Sequence, residues 1–177
     1  MSMYQRIIVP VDLDGDLLTK TNLCAAIALA QDQKATLKII TVVDEAITGL
    51  NGEFGWTDPA TLDANMRDDA QRQLDKAARK INDQRIKDQR VKDHNILAEA
   101  EVIESPDGHI ARHIEAAALA WRADLIVIGT RGLHGLARWT YGLSSHTSED
   151  LLRLARLPLL VVPDSAPDSK AKNASDD

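Results

Sequence analysis

Residues 7–18 read IIVPVDLDGDLL, an apolar run that ends in two carboxylates two positions apart, Asp12 and Asp14. Paired aspartates at the mouth of a strand suit Mg²⁺-dependent phosphoryl transfer: one attacks phosphorus, the other shuttles the proton, and the metal holds the phosphate. A plainer use fits the same residues. Asp14-Gly15 suits a tight turn, and Asp16 suits the first turn of a helix, where the backbone dipole favours negative charge. The run is not a calcium loop, which needs glycine sixth and glutamate twelfth.

A second candidate is GTRGLHGLARWTYGLSSHTSED, residues 129–150, with glycines at 129, 132, 135 and 142. Gly129 and Gly132 permit a tight turn with φ > 0 off a strand end and let backbone N–H groups converge. Such a loop, leading through hydroxyl residues into a helix N-terminus, is a ready anion site. No Gly-Lys-Ser/Thr follows, so it is not a P-loop, and an ordinary glycine-rich crossover accounts equally well for the spacing. Arg131 and Arg138 would supply counter-charge to a phosphate there, or pair with the chain's excess acid. His134 and His146 flank the loop as surface histidines. His109 and His113 are spaced to share a metal on a helix, but with no third ligand evident they read as a solvated face. Cys24, among Leu23, Ala25 and Ala26, reads as a small core residue.

The elements that would position these groups alternate. IIVPV (7–11), LKIITVV (37–43), AEAEVI (98–103), DLIVIG (124–129) and LPLLVVP (157–163) are expected strands. Runs as continuously apolar as LIVI and LLVV suit parallel strands covered on both faces. Helices are expected from after Asp16 to about Gln31, through Ile110, Ile114, Ala117 and Trp121, and from near Thr147, where Thr147-x-x-Asp150 imitates a capping box. Between Ala60 and Ser105 there is neither Gly nor Pro, and Leu62, Met66, Ala70, Leu74 and Ile81 trace one helical stripe. INDQR, IKDQR and VKDHN then repeat every five residues over 81–95. A step of five turns each apolar residue about 140° past the last, so this reads as a solvated helix extension. Residues 44–60 read as a loop. Strand–helix alternation implies right-handed crossovers and a doubly wound parallel α/β sheet with helices on both faces.

Composition bounds the partners. The chain has 177 residues, 44% hydrophobic and 27% charged, with a formal charge of −6, enough for one domain with a real core. Its acidity and 3% aromatic content argue against nucleic acid, which calls for a basic stripe or stacking rings. No apolar run is long enough to span a bilayer and no secretory signal is visible, so no membrane partner and a cytoplasmic location are expected. One cysteine excludes an intramolecular disulfide and a four-thiolate zinc site. The expected organisation is a domain over 1–163 and a disordered polar tail over 164–177, DSAPDSKAKNASDD.

Gly129-x2-Gly132-x9-Gly142 after a strand, with hydroxyl residues following, resembles the ATP-binding signature of the universal stress protein family. IIVPVD, TVVD at the end of the second strand, ADLIVIGTRG and SEDLLRLARLPLLVVP extend the resemblance over most of residues 4–163. The resemblance implies a five-stranded sheet of order 3-2-1-4-5, of the adenine nucleotide alpha hydrolase-like kind, with ATP, with or without Mg²⁺, across the carboxyl ends of the strands. Pro10, Val11 and Asp12 would line the adenosine end and Val42 would pack on adenine. Gly129, Thr130, Arg131, Gly132, Gly142, Leu143, Ser144 and Ser145 would hold ribose and phosphates. Leu143 stands where the family usually has Ser or Thr, with SSHT inserted after it; Ser144 or Ser145 would then present the hydroxyl. The family also implies a regulatory homodimer joined through the 157–163 strand.

No residue set combines a poised base, a nucleophile and an oxyanion site, so a binding module rather than a turnover enzyme is expected. Two alternatives stand beside it. One is the same fold with a lapsed site, acting as a dimeric interaction protein. The other is a phosphatase resembling the haloacid dehalogenases, using Asp12 and Asp14. That chemistry also needs a late acidic pair for Mg²⁺, whereas the fourth strand ends Gly129-Thr130-Arg131-Gly132 and the fifth ends VVP.

Overall fold

A computed structural model of the chain describes residues 2–44, 59–83, 96–130 and 147–163. Strands β1 (Arg6–Pro10), β2 (Thr36–Asp44), β3 (Ala98–Ser105), β4 (Leu125–Thr130) and β5 (Leu159–Pro163) form one sheet. All pairings are parallel and the order is β3-β2-β1-β4-β5, as the resemblance implies. Helices α1 (Thr21–Gln33), α2 (Pro59–Asp83), α3 (Ile110–Ala120) and α4 (Thr147–Leu154) supply the two outer layers.

Alternation along the strands divides the apolar residues between two cores. Ile7, Val9, Leu37, Ile39, Leu125 and Val127 face α1 and α2, where Leu23, Ala26, Ala30, Leu74 and Ile81 meet them. Ile8, Ile40, Val42, Ile126 and Ile128 face the other way, against Ile110, Ile114 and Ala118 of α3 and Leu151 of α4. A strand buried on both faces has no polar alternate positions, hence the unbroken runs in β1 and β4. The stripe expected on α2 is buried at Ala70, Leu74 and Ile81. Of the loop expected over 44–60, Asp44 ends β2 and Pro59 and Ala60 begin α2; the rest of it, most of the five-residue repeat and residues 164–177 lie outside the described residues.

Three local readings are corrected. Asp16 caps a short 3-10 turn, Leu17–Thr19, accepting the Leu18 N–H at 3.2 Å, and α1 itself starts only at Thr21. Cys24 is exposed, because the inward face of α1 is set by Asn22, Leu23, Ala26 and Ala30. Position 24 is carried away from that face by the turn of about 100° per residue. Its thiol donates to the Leu18 carbonyl at 3.2 Å. Gly129 lies in β4, as the expected 124–129 strand has it, but without the positive φ expected of a tight turn, which among the described glycines occurs at Gly15 and Gly108.

α1 and α3 end alike. Lys34 (φ 55°) and Arg122 (φ 57°) take the left-handed conformation. The next amides, Ala35 and Ala123, reach back to the carbonyls of Ala30 and Ala118 at 2.9 and 2.8 Å. This six-to-one bond turns the chain directly into the following strand. At the same end of the sheet the Trp121 ring has two cations over it, Arg6 at 5.1 Å and Lys38 at 5.2 Å from the ring centroid. Arg6 also donates to the Trp121 carbonyl at 2.6 Å.

Candidate functional site

β1 pairs with β2 on one side and β4 on the other, and the chain crosses over in opposite senses from that point. The carboxyl ends of β1 and β4 therefore border the crevice where doubly wound sheets take ligands. Pro10 closes β1, and the Val11 N–H still reaches the Ile40 carbonyl at 2.8 Å, holding the chain beside β2 for one more residue. Pro10 is tolerated because the ladder ends there.

Asn22, only 7% exposed in the first turn of α1, donates from Nδ2 to the Pro10 carbonyl at 2.9 Å. The same side chain lies against Gly129: a Cβ built there would be 3.4 Å from Asn22 Cγ. One amide thus joins α1, the end of β1 and the end of β4 at the switch point. Sequence reasoning missed it; the available signal was an asparagine at a position facing inward with Leu23 and Ala26.

Of the expected site residues, the structure brings Pro10, Val11, Asp12, Val42, Gly129 and Thr130 to this end of the sheet. Their side chains do not share one face. Val11 is buried in the α1–α2 core, whereas Val42 is buried in the α3–α4 core. Gly129 and Thr130 pair with Val162 and Pro163. Asp12 is half-buried, and Asp14 is exposed and ion-paired with Lys20. Arg131, Gly132, Gly142, Leu143, Ser144 and Ser145 lie outside the described residues, as do Arg138, His134 and His146. Among the described residues no group of three or more His, Cys, Asp or Glu side chains could hold a metal ion.

Two further features at this end were not foreseen. A cleft of about 250 Å³ opens between the first turn of α3 and the length of α4, with His109, Arg112, Thr147, Asp150 and Arg153 on its walls. Its two sides lie some forty residues apart in the chain, so only the topology unites them. Ser105, the last residue of β3, buries its hydroxyl with no hydrogen-bond partner among the described residues. Beside the cleft, Asp107 accepts the His109 N–H at 3.0 Å and contacts His113 Nε2 at 2.8 Å. The backbone N–H first, and His113 second, hold the Asp107 carboxyl below its ordinary 3.8. Glu115, buried on the inner side of α3, accepts both the backbone N–H and Nε of Arg156, at 2.9 and 3.2 Å. It ties α3 to the turn leading into β5.

A five-stranded parallel sheet of this order, with helices on both faces and a crevice between β1 and β4, defines a Rossmann-like α/β protein. The family model described as "Universal stress protein family" matches residues 3–163, and the chain belongs to that family. It is 28% identical to a universal stress family protein from Burkholderia pseudomallei, with a TM-score of 0.63 over 93% of this chain and 99% of that one. A universal stress protein solved in complex with cAMP is 18% identical, with a TM-score of 0.56 over 93% of this chain and 100% of that one. One from Archaeoglobus fulgidus, in complex with dAMP, is 17% identical, with a TM-score of 0.54 over 90% of this chain and 98% of that one. No curated protein sequence matches the chain. Among the described residues no helix is long and apolar enough to cross a membrane.

Proposed function

We propose that the chain is an adenine-nucleotide-binding regulatory protein of its family, taking ATP in the crevice between β1 and β4. It works as a binding module rather than a turnover enzyme. The carrying observation is the Asn22 tie, which fixes the ends of β1 and β4 around the crevice before any ligand arrives. Preorganisation of that kind lowers the ordering cost of binding. Val42 offers an apolar wall for adenine, and Pro10, Val11 and Asp12 border the nucleoside end of the crevice. The starts of α3 and α4 bring helix N-termini and Arg112 to the same end of the sheet, where they oppose the charge of a polyphosphate. The Ser105 hydroxyl, also at that end and with no partner among the described residues, fits a site that is polar and accepts a ligand. Arg131, Gly132, Gly142, Leu143, Ser144 and Ser145 complete the phosphate side, with Mg²⁺ as an accompanying counter-ion. The cAMP and dAMP complexes of two proteins of the same fold favour an adenine nucleotide.

The working unit is residues 1–163 as a homodimer joined edge to edge through β5. Leu160 is 39% exposed on that apolar edge strand, which left bare is an aggregation liability. A monodisperse monomer at high concentration would refute the dimer.

Thermal unfolding with ATP, GTP, dAMP or no ligand tests the nucleotide reading. Ligand at a hundred times its Kd adds about 2.7 kcal/mol of stability. That gain corresponds to roughly 5–11 °C for a domain of this size. No shift with any nucleotide, and none released on denaturation, would refute the reading and leave a dimeric interaction protein on the same fold.

A further inference from the structure

The sheet has two edges, and they are finished differently. On β3 the odd-numbered residues face β2, as the Leu37 N–H donating to the Leu97 carbonyl at 2.8 Å establishes. The even-numbered residues therefore turn their N–H and C=O groups outward, where a sixth strand would bind them. Two side chains of α2 occupy four of those groups, on Ala98, Ala100 and Val102. Asn82 accepts the Ala98 N–H on Oδ1 at 2.9 Å and donates from Nδ2 to the Ala98 carbonyl at 3.1 Å. Gln71 accepts the Val102 N–H on Oε1 at 3.2 Å and donates from Nε2 to the Ala100 carbonyl at 3.3 Å. A second Nε2 bond, to Asp75 Oδ1 at 2.9 Å, orients the Gln71 amide.

A carboxamide carries one acceptor and one donor group, which is what a peptide unit of a neighbouring strand would present. The same edge carries charged side chains, Glu99 and Glu101 around Lys38 and Glu104 paired with Arg67, which a pairing strand would have to desolvate. β5 bears no charge at all. We propose that Gln71 and Asn82 act as a surrogate strand that closes the β3 edge to strand addition. Among the described residues β5 is then the sheet's one open edge, and association by strand pairing stops at two copies. The closing of β3 stands independently of the dimer proposed above; the limit of two copies rests on it.

Gln71→Leu and Asn82→Leu, singly and together, test the proposal through two readouts. In native-state amide exchange followed by NMR, Gln71→Leu should speed Val102 by about tenfold or more and Asn82→Leu should do so for Ala98, with Ile8 and Val9 still protected. In sedimentation velocity, the wild type should stop at two copies while the double variant grows further with concentration. If the wild type is a monomer, only the dimer reading fails, and a double variant that forms pairs upholds the closed edge. Unchanged exchange at Ala98 and Val102 would overturn the proposal, as would faster exchange without any change in assembly. Loss of protection throughout the sheet would assign the two amides to fold stability alone and overturn it as well.

Discussion

Replacing Asn22 with alanine removes the donor that reaches the Pro10 carbonyl at 2.9 Å in a setting only 7% exposed. The carbonyl stays buried beside a gap where the amide packed on Gly129. Losing such a bond and leaving its partner unsatisfied costs about 1–3 kcal/mol. At 2–4 °C per kcal/mol for a domain of this size, the midpoint should fall by roughly 2–12 °C. Differential scanning fluorimetry measures it directly. Asn22→Asp sharpens the test, because it is nearly isosteric and its ionised form cannot donate. Burial raises the folded-state pKa of that carboxyl above its unfolded value of about 3.9. Stability is then near wild type below about 3.9, where the protonated carboxyl donates to Pro10, and is lost as the pH rises through the folded value. Wild-type midpoints for both variants at pH 7 would refute the reasoning about the tie. If the tie also shapes the nucleotide crevice, the gain conferred by ATP should shrink in both variants.

Four further outcomes are expected. Lys34→Gly with Arg122→Gly relieves two left-handed residues and should raise stability by about 1 kcal/mol in urea denaturation, net of the lost C-terminal cations. A decrease would show the two cations to matter more than the backbone. Glu115→Ala should cost about 1–3 kcal/mol by taking the acceptor from the part-buried Arg156 N–H and emptying a buried position on α3, whereas Arg156→Ala, at a mostly exposed side chain that keeps that N–H, should cost under about 1 kcal/mol. Equal costs would contradict the asymmetry. Ser105→Ala should stabilise the protein by about 1 kcal/mol, because a buried hydroxyl with no partner among the described residues is a liability. Finally, the Asp107 carboxyl, monitored by NMR, should titrate below 3.8. Because its folded-state pKa is depressed, its contribution to stability is present above 3.8 and fades as the pH falls through the lower folded value.

Strand order was legible because β1, β2 and β4 announce themselves as apolar runs, and because the motifs follow the order of a family whose topology is known. The stripe on α2 was legible for the same reason: burial on one side of a helix leaves a period in the sequence. Single polar side chains leave no such trace. Asn22, Glu115, Gln71 and Asn82 each satisfy backbone groups distant in the chain, and nothing in their local spacing names the partner. Cys24 was misread because its neighbours are small and apolar, although the turn of α1 carries it away from the core. Gly129 reads both as the end of the 124–129 strand and as the start of a tight turn with positive φ; the structure has the strand, against Asn22, and not the positive φ. The Arg112–Arg153 cleft needed both crossovers in place before its walls could meet.

Trp121 offers a practical consequence. It sits with Arg6 and Lys38 at the amino end of the strands, the pole of the sheet away from the crevice. Trp56 and Trp139 belong to segments outside the described residues. The indole clasped by two cations is therefore an optical gauge of whether the sheet is assembled, largely blind to what occupies the opposite pole. With Trp56 and Trp139 replaced by phenylalanine, its emission should follow denaturant faithfully and stay flat through a nucleotide titration.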